Sequence, residues 1–276
     1  MTEIRRPEIG ATVVANGIKT NYLEDGKGSP VVFIHGSGPG VTAYANWRLV
    51  MPGLAPHYRT LAPDMVGFGY TDRPDGVKYN VQVWADQVVG FMDALDMRTA
   101  ALVGNSFGGA IALRVVTQHP GRVDKLVLMG SMGVPFPITE GLDRVWGYQP
   151  SVENMKAMLG IFAYSPELQN DDELARVRYE ASIQPGFQES FSSMFPAPRQ
   201  SSVDAMAIPE DELRQIGKET LIVHGRDDKV IPLDNSLRLL QLIDRSQLHV
   251  FGHCGHWVQI EQAAPFVRLV DDFISH

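Results

Sequence analysis

Residues 102–113 read LVGNSFGGAIAL. An apolar run of strand character ends at Gly104, and a run of small residues of helical character begins near Gly108. Ser106 stands at the corner between them. Gly104-Asn105-Ser106-Phe107-Gly108 matches G-x-S-x-G, a pattern that carries meaning only with a strand before it and a helix after it. Both are readable here. A turn this sharp strains the backbone of the central residue and brings neighbouring chain close, so the positions two residues to either side must be small. The strain would hold the serine hydroxyl out at the carboxyl end of a sheet. It would also leave the next N–H at a helix N-terminus, free to donate to a developing anion. Gly109, Ala110 and Ala112 would let the helix lie close to the sheet.

Outward from the corner, short apolar runs recur at 31–36 (VVFIHG), 58–65 (YRTLAPDM), 100–105 (AALVGN), 125–130 (KLVLMG), 220–225 (TLIVHG) and 248–252 (LHVFG). Each has strand character and stops at glycine or a polar residue. An alternating segment at 11–26 turns at Asn16-Gly17, a hairpin signal. Helical segments lie between the runs. The stretch 79–96 places Val83, Val88, Phe91, Met92 and Leu95 on one stripe, and 263–275 has the same period. Alternation of this kind predicts an α/β fold, a mostly parallel sheet with helices on both faces. The rhythm breaks over 135–207. This stretch has no convincing strand but carries helical segments at 151–162 and 171–183 and a Pro-rich connection at 194–200. About seventy residues is long for a crossover. The expectation is a core of residues 1–134 and 208–276 with a helical lid inserted at 135–207.

Bulk properties exclude several classes. The 276 residues are 44% hydrophobic and 20% charged, enough for a sizeable core, and the net charge of −8 argues against a nucleic-acid binder or a basic membrane-surface protein. The single cysteine, Cys254, rules out an internal disulfide and a cysteine-rich metal site, and the scattered histidines offer no ligand spacing. No metal and no cofactor are expected. The N-terminal MTEIRRPEIG lacks the apolar stretch of a signal peptide, and no run approaches the roughly 20 apolar residues of a membrane span. A cytoplasmic location is the expectation.

A serine hydroxyl needs a base near neutral pH. Of eight histidines, His57, His119 and His276 sit at or near helix ends or the terminus, and His249 lies within a strand. His35 and His224 end strands before a glycine, where a structural hydrogen bond is the ordinary role. The loop GHCGHW at 252–257 leaves His256 as the expected base, with His253 its rival. The third member should be an acid between serine and histidine in the chain. In HGRDDKVIP (224–232) Asp228 fits the spacing G-x-x-D-x-x-x-P, and Asp227 competes. The segment after the strand at 125–130 offers no acid, and Asp64 falls in a glycine-rich loop that it would organise. An oxyanion hole needs two donors. The expected pair is the N–H of Phe107 and that of Ser37, in the loop HGSGPG at 35–40.

GNSFGG, HGSGPG, GRDDKVIP and CGHW together resemble the α/β-hydrolase fold and, more narrowly, the meta-cleavage product hydrolases of aromatic catabolism. The resemblance extends over SGPGVTAYANWR, DMVGFGYTDRP, PITEGLDRVWGY and MFPAPRQ, essentially the whole chain. It implies hydrolysis of a carbon–carbon bond in a ring-fission product of catechol or 3-methylcatechol. In such enzymes the dienol is first ketonised, so that the leaving carbon becomes part of an electron sink. Ser106, or a water it activates, then attacks the C6 carbonyl. The resemblance makes Arg178 the cation for the C1 carboxylate, and Asn46, Asn105 and Trp257 further binding positions. Met132, Ile138, Trp146, Phe162 and Val230 are expected around the C6 substituent. Several are bulky, so hydrogen or methyl should fit better than phenyl. It also implies a small-molecule dienoate as partner and a homo-oligomer. A carboxylesterase would use the same serine, acid and histidine. Enzymes of this fold with an aspartate at the corner are excluded by Ser106, and a purely binding protein would not need all three groups.

Overall fold

A computed structural model describes residues 6–276. Eight strands form one sheet: β1 (Ala11–Ala15), β2 (Ile18–Asp25), β3 (Ser29–Ile34), β4 (Tyr58–Pro63), β5 (Ala100–Asn105), β6 (Val123–Met129), β7 (Thr220–Gly225) and β8 (Ser246–Phe251). The order is β1-β2-β4-β3-β5-β6-β7-β8. β1 and β2 form an antiparallel hairpin through Asn16 and Gly17, both at positive φ, and β2 runs antiparallel to β4. Every other pairing is parallel. The predicted mostly parallel sheet is therefore present. β6 and β8 each start two residues before the run that marks them, because polar residues such as Asp124 and Gln247 occupy their first positions.

The central strands are buried on both faces, and successive residues divide between two cores. Val32, Ile34, Leu102, Leu126, Leu128 and Ile222 face one core, while Val31, Phe33, Val103, Val127, Leu221 and Val223 face the other. The period of two makes this division obligatory. The first core is closed by helices Val81–Ala94, Phe107–Gln118 and Leu233–Leu242. The second is closed by Ala43–Trp47, Met51–Leu54 and Ala263–Ser275. In Val81–Ala94 the expected stripe is inward, with Val88, Phe91 and Met92 fully buried and Val83 and Leu95 partly so; Asn80 caps its start by accepting the Val83 N–H at 3.0 Å.

Among the described residues no strand lies between Met129 and Thr220. Six helices fall within 135–207, including Val152–Phe162 and Asp172–Ser182. Their apolar faces join the first core through Met155, Leu159 and Phe191, with Phe195 adding to it just beyond the helix Phe187–Met194. No helix among the described residues is long and apolar enough to cross a membrane.

Candidate active site

Ser106 lies between the end of β5 and the helix Phe107–Gln118, at φ 55° and ψ −114°. A non-glycine residue there is strained. The strain is held on both sides. The Ser106 N–H donates to the Met129 carbonyl at 2.8 Å, and its own carbonyl accepts from Gly109 at 3.0 Å and Met132 at 3.1 Å. A Cβ on Gly104 would sit 2.5 Å from the Gly108 carbonyl oxygen, and one on Gly108 would sit 2.3 Å from that of Ile34. Both glycines of the motif are thus sterically required. The Ser106 side chain does not cap the helix and makes no hydrogen bond among the described residues.

Asp228 and His256 meet, with Oδ2 accepting from Nδ1 at 2.7 Å. Oδ1 of Asp228 accepts from the N–H groups of Val230 at 2.7 Å and Ile231 at 3.0 Å. Burial pushes this carboxyl up, but His256, His224 and the backbone donors outweigh it and hold it below the ordinary carboxylate range. The rivals stand elsewhere. Asp227 accepts from the Cys254 N–H and braces the turn, and exposed His253 pairs with the Tyr164 hydroxyl at 2.9 Å. The end of β6 joins the serine to this pair. Gly130 follows Met129, which binds Ser106, and a Cβ on Gly130 would lie 3.3 Å from Asp228 Oδ2 and 3.4 Å from His256. Asp64 is buried and accepts from Asn21, Ala43 and Tyr70, and burial pushes it up to about 6. The thiol of Cys254 is pushed up to about 12 by burial, with Glu261 and Asp228 adding, so it is no nucleophile.

The N–H groups of Phe107 and Ser37 have no acceptor among the described residues. The loop bearing Ser37 lies against the serine, since a Cβ on Gly36 would be 3.5 Å from Ser106 Cβ. Asn46 Oδ1 holds this loop, accepting from the Gly36 N–H at 3.3 Å and from Asn105 Nδ2 at 3.1 Å. A cavity opens above, lined by Ser37, Asn46, Asn105, Arg178, His256 and Trp257 among others. Trp257 stacks on Phe162 at 4.8 Å. The Arg178 guanidinium is enclosed. Its Nη2 donates to the Pro39 carbonyl at 3.3 Å, its Nε has no partner, and no carboxylate pairs with it among the described residues. Burial pushes its pKa down to about 10, and the charge of Arg48 adds to the effect. A largely buried cation with no anionic partner among the described residues, at a cavity it shares with His256, can receive an acidic group.

Of the residues expected around C6, only Phe162 lines this cavity. Met132, Trp146 and Val230 are fully buried in the first core, and Ile138 packs against it. Trp146 donates its indole N–H to Ser37 Oγ at 3.0 Å and stacks on Phe195 at 4.1 Å, beside Phe107. Three contributors carried no sequence signal. Arg48 and Gln259 line the cavity, and the amide of buried Gln259 has no partner among the described residues. Glu261 ties the histidine loop to the helical segment: Oε1 accepts from Tyr164 and Ser165, and Oε2 from Gly255 at 2.7 Å. The Phe162 carbonyl adds to this tie by accepting the His256 N–H at 2.7 Å.

Known proteins show which family the chain resembles. Residues 29–263 match the α/β-hydrolase fold family model. A 2-hydroxy-6-oxo-2,4-heptadienoate hydrolase of Pseudomonas putida is 60% identical over 268 residues, which cover 97% of each chain. A 2-hydroxymuconate semialdehyde hydrolase of a Pseudomonas species is also 60% identical, over 98% of this chain and 95% of its own. The solved structure of a serine-to-alanine mutant of a meta-cleavage product hydrolase from Pseudomonas fluorescens, complexed with acetates, superposes with a TM-score of 0.97 at 57% identity, over 98% of this chain and 99% of its own. With its strained serine, its acid–histidine pair and these relatives over nearly its full length, the chain belongs to the α/β-hydrolase family and, within it, to the meta-cleavage product hydrolases.

Proposed function

We propose that the protein hydrolyses the C5–C6 bond of 2-hydroxy-6-oxohepta-2,4-dienoate and 2-hydroxymuconic semialdehyde, giving 2-hydroxypenta-2,4-dienoate with acetate or formate. The observation that carries this reading is the enclosed, unpaired guanidinium of Arg178 in the cavity shared with His256. An ordinary ester substrate needs no such cation. Asn46, Asn105 and Trp257 complete the binding wall. In this reading Arg178 fixes the C1 carboxylate and so points C6 at Ser106. The dienol is ketonised, which lets C5 leave as a stabilised carbanion. Ser106 Oγ attacks C6, and His256 takes its proton, oriented by Asp228. The N–H groups of Phe107 and Ser37 receive the oxyanion. C5 takes a proton as the bond breaks, and water supplies the hydroxyl of the released acid. Residues 135–207 act as a lid over this path. A cytoplasmic homo-oligomer accompanies the proposal, and sedimentation measures the assembly directly.

A small C6 group fits this reading, with Phe162, the one C6 candidate that lines the cavity, stacked on Trp257 and beside His256. An added methylene changes discrimination by only about 1–3 kcal/mol, whereas phenyl would force overpacking. Specificity constants for the C6 hydrogen, methyl and phenyl substrates test this. Hydrogen and methyl should both be turned over and phenyl disfavoured; a preference for phenyl overturns the small pocket. Turnover of p-nitrophenyl esters without loss of the dienolate absorbance overturns C–C hydrolysis itself.

A further inference from the structure

Behind Asp228 lies a histidine that the reaction does not touch. His224, near the end of β7, is fully buried. Its Nδ1 is 2.7 Å from Ser236 Oγ and its Nε2 is 3.1 Å from the Ile231 carbonyl oxygen. A carbonyl can only accept, so Nε2 carries the proton. Nδ1 is then bare and accepts the Ser236 hydroxyl proton. Burial disfavours the imidazolium and holds His224 below the ordinary histidine range, against the pull of Asp228. The ring is therefore neutral, in one tautomer.

Asp228 Oδ2 lies 3.5 Å from the same Nε2, a longer contact than the hydrogen bond to the Ile231 carbonyl. Oδ2 is the oxygen that binds His256. The other oxygen is filled by the N–H groups of Val230 and Ile231. The titratable groups around this cluster are Asp228 and His256, and the Cys254 thiol beyond the carboxylate. Ser236 lies on the helix Leu233–Leu242, away from the cavity.

We propose that His224 is a positioning residue, whose Nε2 proton is shared between the Ile231 carbonyl and Asp228 Oδ2 and so sets how much negative charge Asp228 presents to His256. The inference rests on the assignment of Asp228 and His256 as acid and base. A donor on Oδ2 draws charge from the carboxylate. Without it, Asp228 stabilises the imidazolium of His256 more strongly, and the base gives up its proton only at higher pH.

The pH dependence of kcat/KM for loss of the dienolate absorbance tests the proposal, measured on wild type, His224→Phe and His224→Gln. His224→Phe should move the acidic limb upward by about half a pH unit, the effect of one weak, shared hydrogen bond. His224→Gln can donate to the same oxygen and should keep the limb near its wild-type position. Equal limbs in all three overturn the proposal and leave His224 with a packing role. Should His224→Phe not fold, nitrogen-15 histidine spectra of the wild type decide. They should show His224 as the Nε2–H tautomer from pH 6 to 9, and an Nδ1–H tautomer or an imidazolium overturns the proposal. Asp228→Asn is assayed alongside. If that variant keeps its turnover, the acid assignment itself has failed; if it is inactive and the limb of His224→Phe is unmoved, only the role of His224 has.

Discussion

Arg178→Met keeps much of the side chain's stem and removes a guanidinium that has no anionic partner among the described residues. Two effects follow, of opposite sign. The pKa of Arg178 is pushed from its ordinary 12.5 to about 10 by burial, with Arg48 adding. The folded value lies below the unfolded one, so the fold disfavours the charged form. That penalty is complete at every pH below about 10 and fades only above it, which leaves it in force across the neutral range. A displacement of this size corresponds to at most about 3 kcal/mol. The variant should therefore be more stable, with a melting temperature higher by roughly 2–6 °C for a chain of this size. Activity should move the other way. Loss of two charge-assisted hydrogen bonds at about 1.5 kcal/mol each raises KM by about two orders of magnitude, with a smaller change in kcat. Steady-state loss of the dienolate absorbance and a calorimetric scan read both effects. Hexa-2,4-dienoate, which has a C1 carboxylate and no C6 carbonyl, should raise the melting temperature of the wild type and leave that of the variant alone. A variant that melts lower and binds substrate unchanged would refute the reasoning, because Arg178 would then be holding the fold rather than the substrate.

Ser106→Ala should fold normally and lose several orders of magnitude in turnover, and retention of more than about a tenth of the wild-type rate removes Ser106 from the mechanism. Asp228→Asn should be severe through a mis-set histidine tautomer, whereas Asp227→Asn should be mild, because Asp227 only braces the turn; the reverse order of kcat values reassigns the acid. Arg48→Gln should raise KM about fivefold at low salt and less at high salt, since Arg48 is partly exposed at the same cavity; an effect equal at both ionic strengths contradicts a role through charge.

What could be read from the sequence was what local sterics dictate. A serine at a strand-to-helix corner leaves room for nothing but glycine two residues away, and the spacing from Gly225 to Pro232 selects Asp228 because the turn must bring two N–H groups onto one carboxylate oxygen. The two-sided burial of β3, β5, β6 and β7 likewise shows as unbroken apolar runs. What could not be read depends on how distant segments dock. Arg48, Gln259 and Arg178 reach one cavity from the end of a short helix after β3, the helix Val258–Glu261 and the helical segment, and no spacing records that meeting; Arg178 stands out only through the family resemblance. Nearness in the chain points to Trp146 and not to Phe195, the ring it stacks on, and neither lines the cavity. Edge strand β8, half exposed along its length, gave a weaker signal at its start than the central strands did.

The tie through Glu261 and the Phe162 carbonyl bears on how new specificities could arise. The helical segment is tied to the loop that carries His256 by the Glu261 carboxylate, which accepts backbone N–H groups from both sides, and by one backbone bond from His256 to Phe162. A chimera that imports residues 135–207 from a relative with another substrate range, while keeping the native loop, should hold this seam only if the imported backbone follows the same path at 162–165, and should otherwise displace the base. Substrate range and proton transfer should therefore be inherited as one block, and recombination breakpoints should survive selection on either side of the segment 162–261 more readily than inside it.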